Sequence, residues 1–225
     1  MKTLLSQVLA IALLSFVLCT SAQSAQSSKE MEKGSAILIL DASGSMWGQI
    51  NGKTKIEIAR EVIGDLMQNW DTSMPLGLSA YGHRRKGDCD DIETLIPVGQ
   101  ADPKSIIKAI HAINPKGKTP LSESVRRAAK ELRYSEERAT VVLISDGVET
   151  CNMDPCAVGE ALAMSGVDFT AHVIGFDVKD IDQAGLRCLA EKTGGLFLAA
   201  ADADGLREAL SKTVEKAKEA PVPLV

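Results

Sequence analysis

Ile37-Leu38-Ile39-Leu40-Asp41-Ala42-Ser43-Gly44-Ser45-Met46 is the stretch on which the fold turns. Four consecutive aliphatic residues with no polar break read as a strand buried on both faces, the kind found inside a parallel sheet. The chemistry then changes at once to a carboxylate, two hydroxyls and a glycine. Open α/β sheets gather their ligands at the carboxyl ends of their strands. Asp41, Ser43 and Ser45 place hard oxygen donors at alternate positions of a tight turn, which suits a small hard cation such as Mg2+. The same residue types also cap helices. This stretch by itself does not choose between the two roles.

Moving outward, Asn51-Gly52 marks a turn, with Trp47 before it expected to pack on the domain. Ile56, Ala59, Val62, Ile63, Leu66, Met67 and Trp70 recur at helical spacing and predict a helix over 56–70. Leu76 to Tyr81 reads as a second strand. Ile92 to Val98 is a short strand with Pro97 near its end, hence an edge strand, and the loop before it permits an antiparallel hairpin. That loop, Gly82 to Asp91, carries His83, Arg84, Arg85, Lys86, Asp88, Asp90 and Asp91. It is read as a solvated charged loop rather than a second cation site.

Asp102-Pro103 starts a helix, with Asp as N-cap and Pro at the first helical position. Ile106, Ile107, Ile110 and Ile113 are its buried stripe, and His111 is a surface or packing residue. Ser105 and Lys108 match a Ser-x-x-Lys pattern but lack the partner motifs a nucleophile would need. Pro120 predicts another helix carrying Leu121, Val125, Ala128 and Leu132, with Thr119 as its N-cap. Thr140 to Ile144 is a second uncharged aliphatic run, and it ends in Ser145-Asp146-Gly147. Asp154-Pro155 opens a helix through Met164. Phe169 to Phe176 is a strand whose His172 should be satisfied by a neighbour. Ile181 to Lys192 is read as a helix closed by Gly194-Gly195, Leu196 to Ala199 as a last strand, and Asp204 to Lys218 as the final helix. Alternating strands and helices predict an α/β fold: a doubly wound, mostly parallel sheet with one antiparallel edge strand and helices on both faces. The strands ending in Asp41 and Asp146 are the most hydrophobic, so they should lie centrally and side by side.

The chain has 225 residues and a formal charge of −5. Lys2, the apolar run Leu4 to Leu18 and the small residues Thr20-Ser21-Ala22 describe a secretory signal peptide over 1–22. The run is shorter than the roughly 20 residues that span a bilayer. Cys19 raises lipidation, but the bulky Leu18 before it argues against that. Residues 23–34 are a polar linker, 35–218 one domain and 219–225 a flexible tail. Removing 1–22 takes away Lys2 and no acid, so −5 becomes −6. That mixed acidic surface excludes nucleic acid as a partner. The expected location is periplasmic or secreted. Cys89, Cys151, Cys156 and Cys188 remain, an even count that favours two disulfides over a four-thiolate zinc site with no paired short spacings. The topology selects Cys89–Cys151, between two loops at the same end of the sheet, and Cys156–Cys188, between helices of consecutive crossovers. The alternative Cys89–Cys188 pairing would have to cross several strands, well beyond the roughly 7 Å a disulfide allows.

Asp41-x-Ser43-x-Ser45, then Thr119-Pro120-Leu121, then Ser145-Asp146-Gly147 together resemble the metal-ion-dependent adhesion site (MIDAS) of von Willebrand factor A domains. The likeness runs from Ile37 to about Lys216. It is closest to bacterial exported A-type domains, through Ser43-Gly44-Ser45-Met46-Trp47-Gly48 and Tyr81-Gly82-His83-Arg84-Arg85. The resemblance implies Mg2+ or Mn2+ held by Ser43, Ser45 and Thr119, with Asp41 and Asp146 acting largely through water and hydrogen bonds. It also implies a Glu or Asp carboxylate from a partner protein completing the metal's coordination, since few direct carboxylates leave the ion electrophilic. The expected function is therefore a metal-dependent protein-binding module, not an enzyme, reaching a membrane only through a partner complex. The rivals are a Mg2+-dependent hydrolase or phosphatase and a structural envelope domain with a purely stabilising metal. For the enzyme the chain lacks an Asp-x-Asp pair, a Gly-x-Ser-x-Gly elbow and a phosphate loop.

Overall fold

Nine of the eleven residues Ala36 to Met46 are buried, all but Gly44 and Ser45, and the rest of the described chain packs around them in a computed structural model. It describes residues 34–99, 102–134, 136–166 and 168–218. The expected signal peptide, nearly all of the linker and the tail lie outside the described residues.

In chain order the elements are β1 (Ser35–Asp41), β2 (Gln49–Ile50), β3 (Lys53–Thr54), α1 (Lys55–Gln68), β4 (Leu76–Tyr81) and β5 (Ile92–Gly99). They continue with α2 (Pro103–Ala112), α3 (Leu121–Glu131), β6 (Arg138–Ser145), α4 (Pro155–Ser165) and β7 (Asp168–Phe176). The last are α5 (Ala184–Lys192), β8 (Phe197–Ala200) and α6 (Ala203–Lys218). Six strands form one sheet in the order β5-β4-β1-β6-β7-β8. Every pair is parallel except β4–β5. β1 and β6 are neighbours at the centre, in register from Ser35 opposite Ala139 to Leu40 opposite Ile144. Asp41 and Asp146 therefore emerge at the same end of the sheet.

Side chains alternate across the sheet with period two. Ala36, Leu38 and Leu40 of β1 enter the core under α1, α2 and α6. Ile37 and Ile39 enter the one under α3, α4 and α5. This two-sided burial is why the strand carries an unbroken aliphatic run. The doubly wound architecture, with its antiparallel edge strand β5, matches the fold expected from the sequence. β2 and β3 make a small hairpin turned by Asn51 and Gly52, both at positive φ, as the tight primed turn requires. It feeds α1, which begins with a reciprocal capping box between Thr54 and Glu57.

Four differences from the sequence reading concern the helices and Trp47. α1 ends at Gln68, and Trp70 is buried beyond it. α5 starts at Ala184, preceded by a 3-10 turn over Asp180–Asp182. There the Gln183 amide bonds the Val178 carbonyl and Asp180, closing the turn before the helix starts. Trp47 does not pack away: it is 49% exposed, with its indole N–H donated to the Pro115 carbonyl at 2.8 Å. Thr119 is not the N-cap of α3. That position is Pro120, which has no side-chain cap, and the carboxylate of Glu149 takes the amide of Ser122 instead.

Two disulfides are present, Cys89–Cys151 and Cys156–Cys188, with Cα atoms 5.6 and 5.0 Å apart. These are the pairs that the topology selects. The second joins α4 to α5, which approach closely because Gly159 has no Cβ: one there would lie 3.1 Å from the Leu189 carbonyl.

Candidate functional site

Asp41 is the last residue of β1 and is fully buried. One of its carboxylate oxygens accepts the amide of Ser43 at 2.7 Å, which folds the chain back into the turn. The other accepts the Ser145 hydroxyl at 2.7 Å from the neighbouring strand β6. Tyr81, at the end of β4 on the opposite side, donates its hydroxyl to Ser145 at 3.1 Å. The ends of three adjacent strands are thus joined by one buried hydrogen-bond chain. Ser43 and Ser45 face each other with hydroxyls 2.9 Å apart, and Ser45 donates to Asp146 at 2.6 Å.

The third loop arrives by backbone contacts. Ser43 forms a lone parallel bridge with Gly117, and the Gly44 amide reaches the Gly117 carbonyl at 3.1 Å. Two residues on, Thr119 is buried, and its amide is held by the Thr150 hydroxyl at 2.8 Å. The Thr150 amide answers to the Thr119 carbonyl at 3.1 Å. Gly82 makes this crowding possible. It has φ +72°, and a Cβ there would fall 2.5 Å from the Lys118 carbonyl and 3.0 Å from Ser43 Cα.

The five residues singled out in the sequence therefore stand differently. Asp41, Ser43, Ser45 and Asp146 belong to one hydrogen-bonded cluster, and Thr119 joins it through the backbone of its loop. The loop after β4, expected to be solvated, instead buries Asp91, and its aspartates are employed elsewhere. Asp91 is buried and accepts the Arg84 side chain at 2.7 Å together with the amides of Arg84 and Arg85. Asp88 pairs with Arg85 and Asp90 with Arg127. Among the described residues no three His, Cys, Asp or Glu side chains cluster as a metal site, so a cation here would depend on hydroxyl donors.

The electrostatics are those of two carboxylates in a poorly solvated place. Burial, and then the charge of Asp146, raise Asp41 from 3.8 to about 6, against the lowering pull of its hydrogen bonds to Ser43 and Ser145. Burial and the Asp41 charge likewise push the Tyr81 phenol well above its usual value. The second oxygen of Asp146 is met by Lys55 at 3.1 Å, and the same ammonium lies 2.9 Å from Asp177 at the end of β7. Burial pulls the Lys55 ammonium down, but its hydrogen bond to Asp177 and the charge of Asp146 outweigh that and raise it.

Lys55, Asp177, Tyr81, Ser145 and Thr150 are site residues that the sequence reading did not assign. One signal was available for Lys55. A lysine at the first position of a helix opposes the helix dipole and calls for a local reason. Beside the cluster lies an open groove of about 400 Å³ lined by Leu121, Val148, Glu149, Met153, Ile181 and Leu186 among others. Val148 and Ile181 on it are 43% and 87% exposed.

Comparison with known proteins fits this architecture. The chain is 29% identical over 202 residues to the uncharacterized protein YwmD of Bacillus subtilis, covering 85% of this chain and 89% of that one. A von Willebrand factor type A protein from Catenulispora acidiphila superposes with TM-score 0.66 at 18% identity, over 83% of this chain and 43% of that one. Proximal thread matrix protein 1 from the mussel byssus, in a form with a zinc-occupied MIDAS motif, gives 0.64 at 17% identity, over 82% and 46%. This chain thus spans less than half of either solved chain. The sequence profile of the von Willebrand factor type A domain matches residues 36–149, about half of the chain and the whole of the sheet's centre from β1 through β6. With that profile and this fold in agreement, the chain belongs to the von Willebrand factor type A domain family.

Proposed function

We propose that this chain is an exported, non-catalytic binding module that holds a divalent cation, Mg2+ or Mn2+, and uses it to bind a carboxylate of a partner protein. The observation that carries the reading is the cluster at the ends of β1 and β6, where two hydroxyls and two carboxylates converge on one point. The donor set fits such an ion. Its atoms are all hard oxygens, and the raised Asp41 marks buried negative charge that a cation would neutralise. Ser43, Ser45 and Thr119 would hold the ion, and Asp41 and Asp146 would orient those hydroxyls and balance its charge. When bound, the ion supplies a Lewis-acidic position for an anionic ligand. The zinc-occupied motif of the byssus protein supports the same use of this fold.

Around the site, half-exposed Trp47 and Val148 offer apolar contacts beside the charged centre. Both disulfides suit an oxidising compartment, as a periplasmic or secreted protein would meet. Among the described residues no helix is long and apolar enough to cross a membrane.

A hydrolase reading has less to stand on. A serine nucleophile needs a free base within hydrogen-bond reach, whereas the carboxylate that Ser45 meets, Asp146, is already paired with the Lys55 ammonium. Calorimetry with Mn2+ on the purified protein should show one site, abolished in Asp41→Ala. Partners captured from the native envelope in Mg2+ should elute with EDTA. A folded protein that binds no divalent ion, or a partner retained at full affinity in EDTA, would overturn the proposal.

A further inference from the structure

Lys55 is built into the site rather than beside it. Its side chain is 11% exposed, and the ammonium bridges the wholly buried Asp146 and the half-exposed Asp177 at 3.1 and 2.9 Å. The stem runs past Gly48, where a Cβ would meet Lys55 Cε at 3.2 Å. The Lys55 amide is pinned to the Gly48 carbonyl at 2.8 Å. Since Ser45 takes the other oxygen of Asp146, any second cation that draws on Asp146 meets the ammonium there. Asp177 keeps its place at positive φ, 54°, with its amide on the Ala200 carbonyl at 2.7 Å.

Resting on the metal reading above, we propose that Lys55 is a tethered competitor for Asp146 that weakens divalent binding, and that Asp177 is the berth to which it yields. The charges support this. Asp41, Asp146 and Asp177 together carry three negative charges and Lys55 one positive, so a divalent ion brings the group to neutrality. Without the lysine, the loaded site would stay negative and repel an incoming carboxylate. Lys55 thus trades affinity for the ion against affinity for the anionic ligand, and couples loading of the one to arrival of the other.

Mn2+ titration by calorimetry tests this. Lys55→Met should bind Mn2+ about tenfold more tightly, the order expected for removing one like charge at short range, and Lys55→Arg should stay near wild type. Asp177→Asn should bind more weakly, because the ammonium is left with Asp146 alone. Asn accepts the left-handed backbone at this position, so this variant carries the test if Lys55→Met does not fold. In the Lys55→Met background, Asp177→Asn should lose most of its effect. Wild type that binds Mn2+ beside a Lys55→Met variant of equal or weaker affinity overturns the role of Lys55 alone. Absence of Mn2+ binding in wild type and variants alike overturns the metal reading and this inference together.

Discussion

Cys89 and Cys151 are bonded with their Cα atoms 5.6 Å apart, which ties the loop after β4 to the loop after β6 across the end of β1. β1 lies between those two strands, so the disulfide spans the strand that carries Asp41. One residue before Cys151 is Thr150, whose hydroxyl fixes the Thr119 amide.

Cutting this link therefore loosens Thr119 as well as the fold. The Cys89→Ser/Cys151→Ser protein should lose about 2–4 kcal/mol of stability, the usual range for a disulfide. It should also bind Mn2+ more weakly. Denaturant melts with and without Mn2+ measure both effects. Unchanged affinity in the folded double variant would separate the disulfide from the site.

Asp41→Asn should set function against stability. The substitution removes a buried charge but keeps an acceptor for the Ser43 amide, while the Ser145 hydroxyl is free to rotate. Thermal melting without divalent ions at pH 7.5 should give a melting temperature at least equal to wild type, and Mn2+ affinity should fall tenfold or more. A clear loss of stability would show that the Asp41 charge is not a burden on the fold.

Asp41 and His172 make stability depend on pH in opposite senses. Asp41, raised from 3.8 to about 6, holds its proton more tightly folded than unfolded. Its contribution is complete below pH 3.8 and is lost as pH rises through 6. His172 accepts the Leu196 amide at Nδ1, and burial, then the charge of Lys216, lower it from 6.5 to about 4. Its contribution is complete above pH 6.5 and is lost as pH falls toward 4, roughly 3 kcal/mol in all. Urea melts across this range should lose the first trend in Asp41→Asn and the second in His172→Asn, whose amide oxygen can replace Nδ1 as acceptor. Because a metal competes with the Asp41 proton, Mn2+ affinity should drop by up to about tenfold per pH unit below 6.

Glu149 caps α3 from outside that helix. Its two oxygens accept the Ser122 amide at 2.9 Å and the Cys151 amide at 2.7 Å. Glu149→Ala should cost about 1–2 kcal/mol, as loss of an N-cap does. Glu149→Gln, which keeps one acceptor, should cost less. Equal losses in the two variants, read from denaturant melts, would count against capping as the reason.

The alternation of strands and helices, the central place of β1 and β6 and the placing of Asp41, Ser43, Ser45 and Asp146 just after strand ends were legible in the sequence, whereas Thr119 read there only as a helix cap and joined the site by resemblance. They rest on local signals: a run of aliphatic residues long enough to be buried twice, apolar stripes at helical spacing, Asp-Pro helix starts and Asn-Gly turns. Topology then restricted which cysteines could meet, because crossovers in a parallel sheet have one hand. Only the tertiary structure decided how the site is wired. Tyr81 and Ser145 reach Asp41 from two neighbouring strands, and Lys55 reaches Asp146 across 91 residues of chain. The cap of α3 comes from Glu149, 27 residues away from Ser122, so Thr119 was left out of a role that its position before Pro120 predicted. Trp47 stays half exposed because its indole finds a carbonyl at Pro115. Such contacts follow from which loops the sheet brings together at one end, and a pattern of nearest neighbours along the chain carries no record of that.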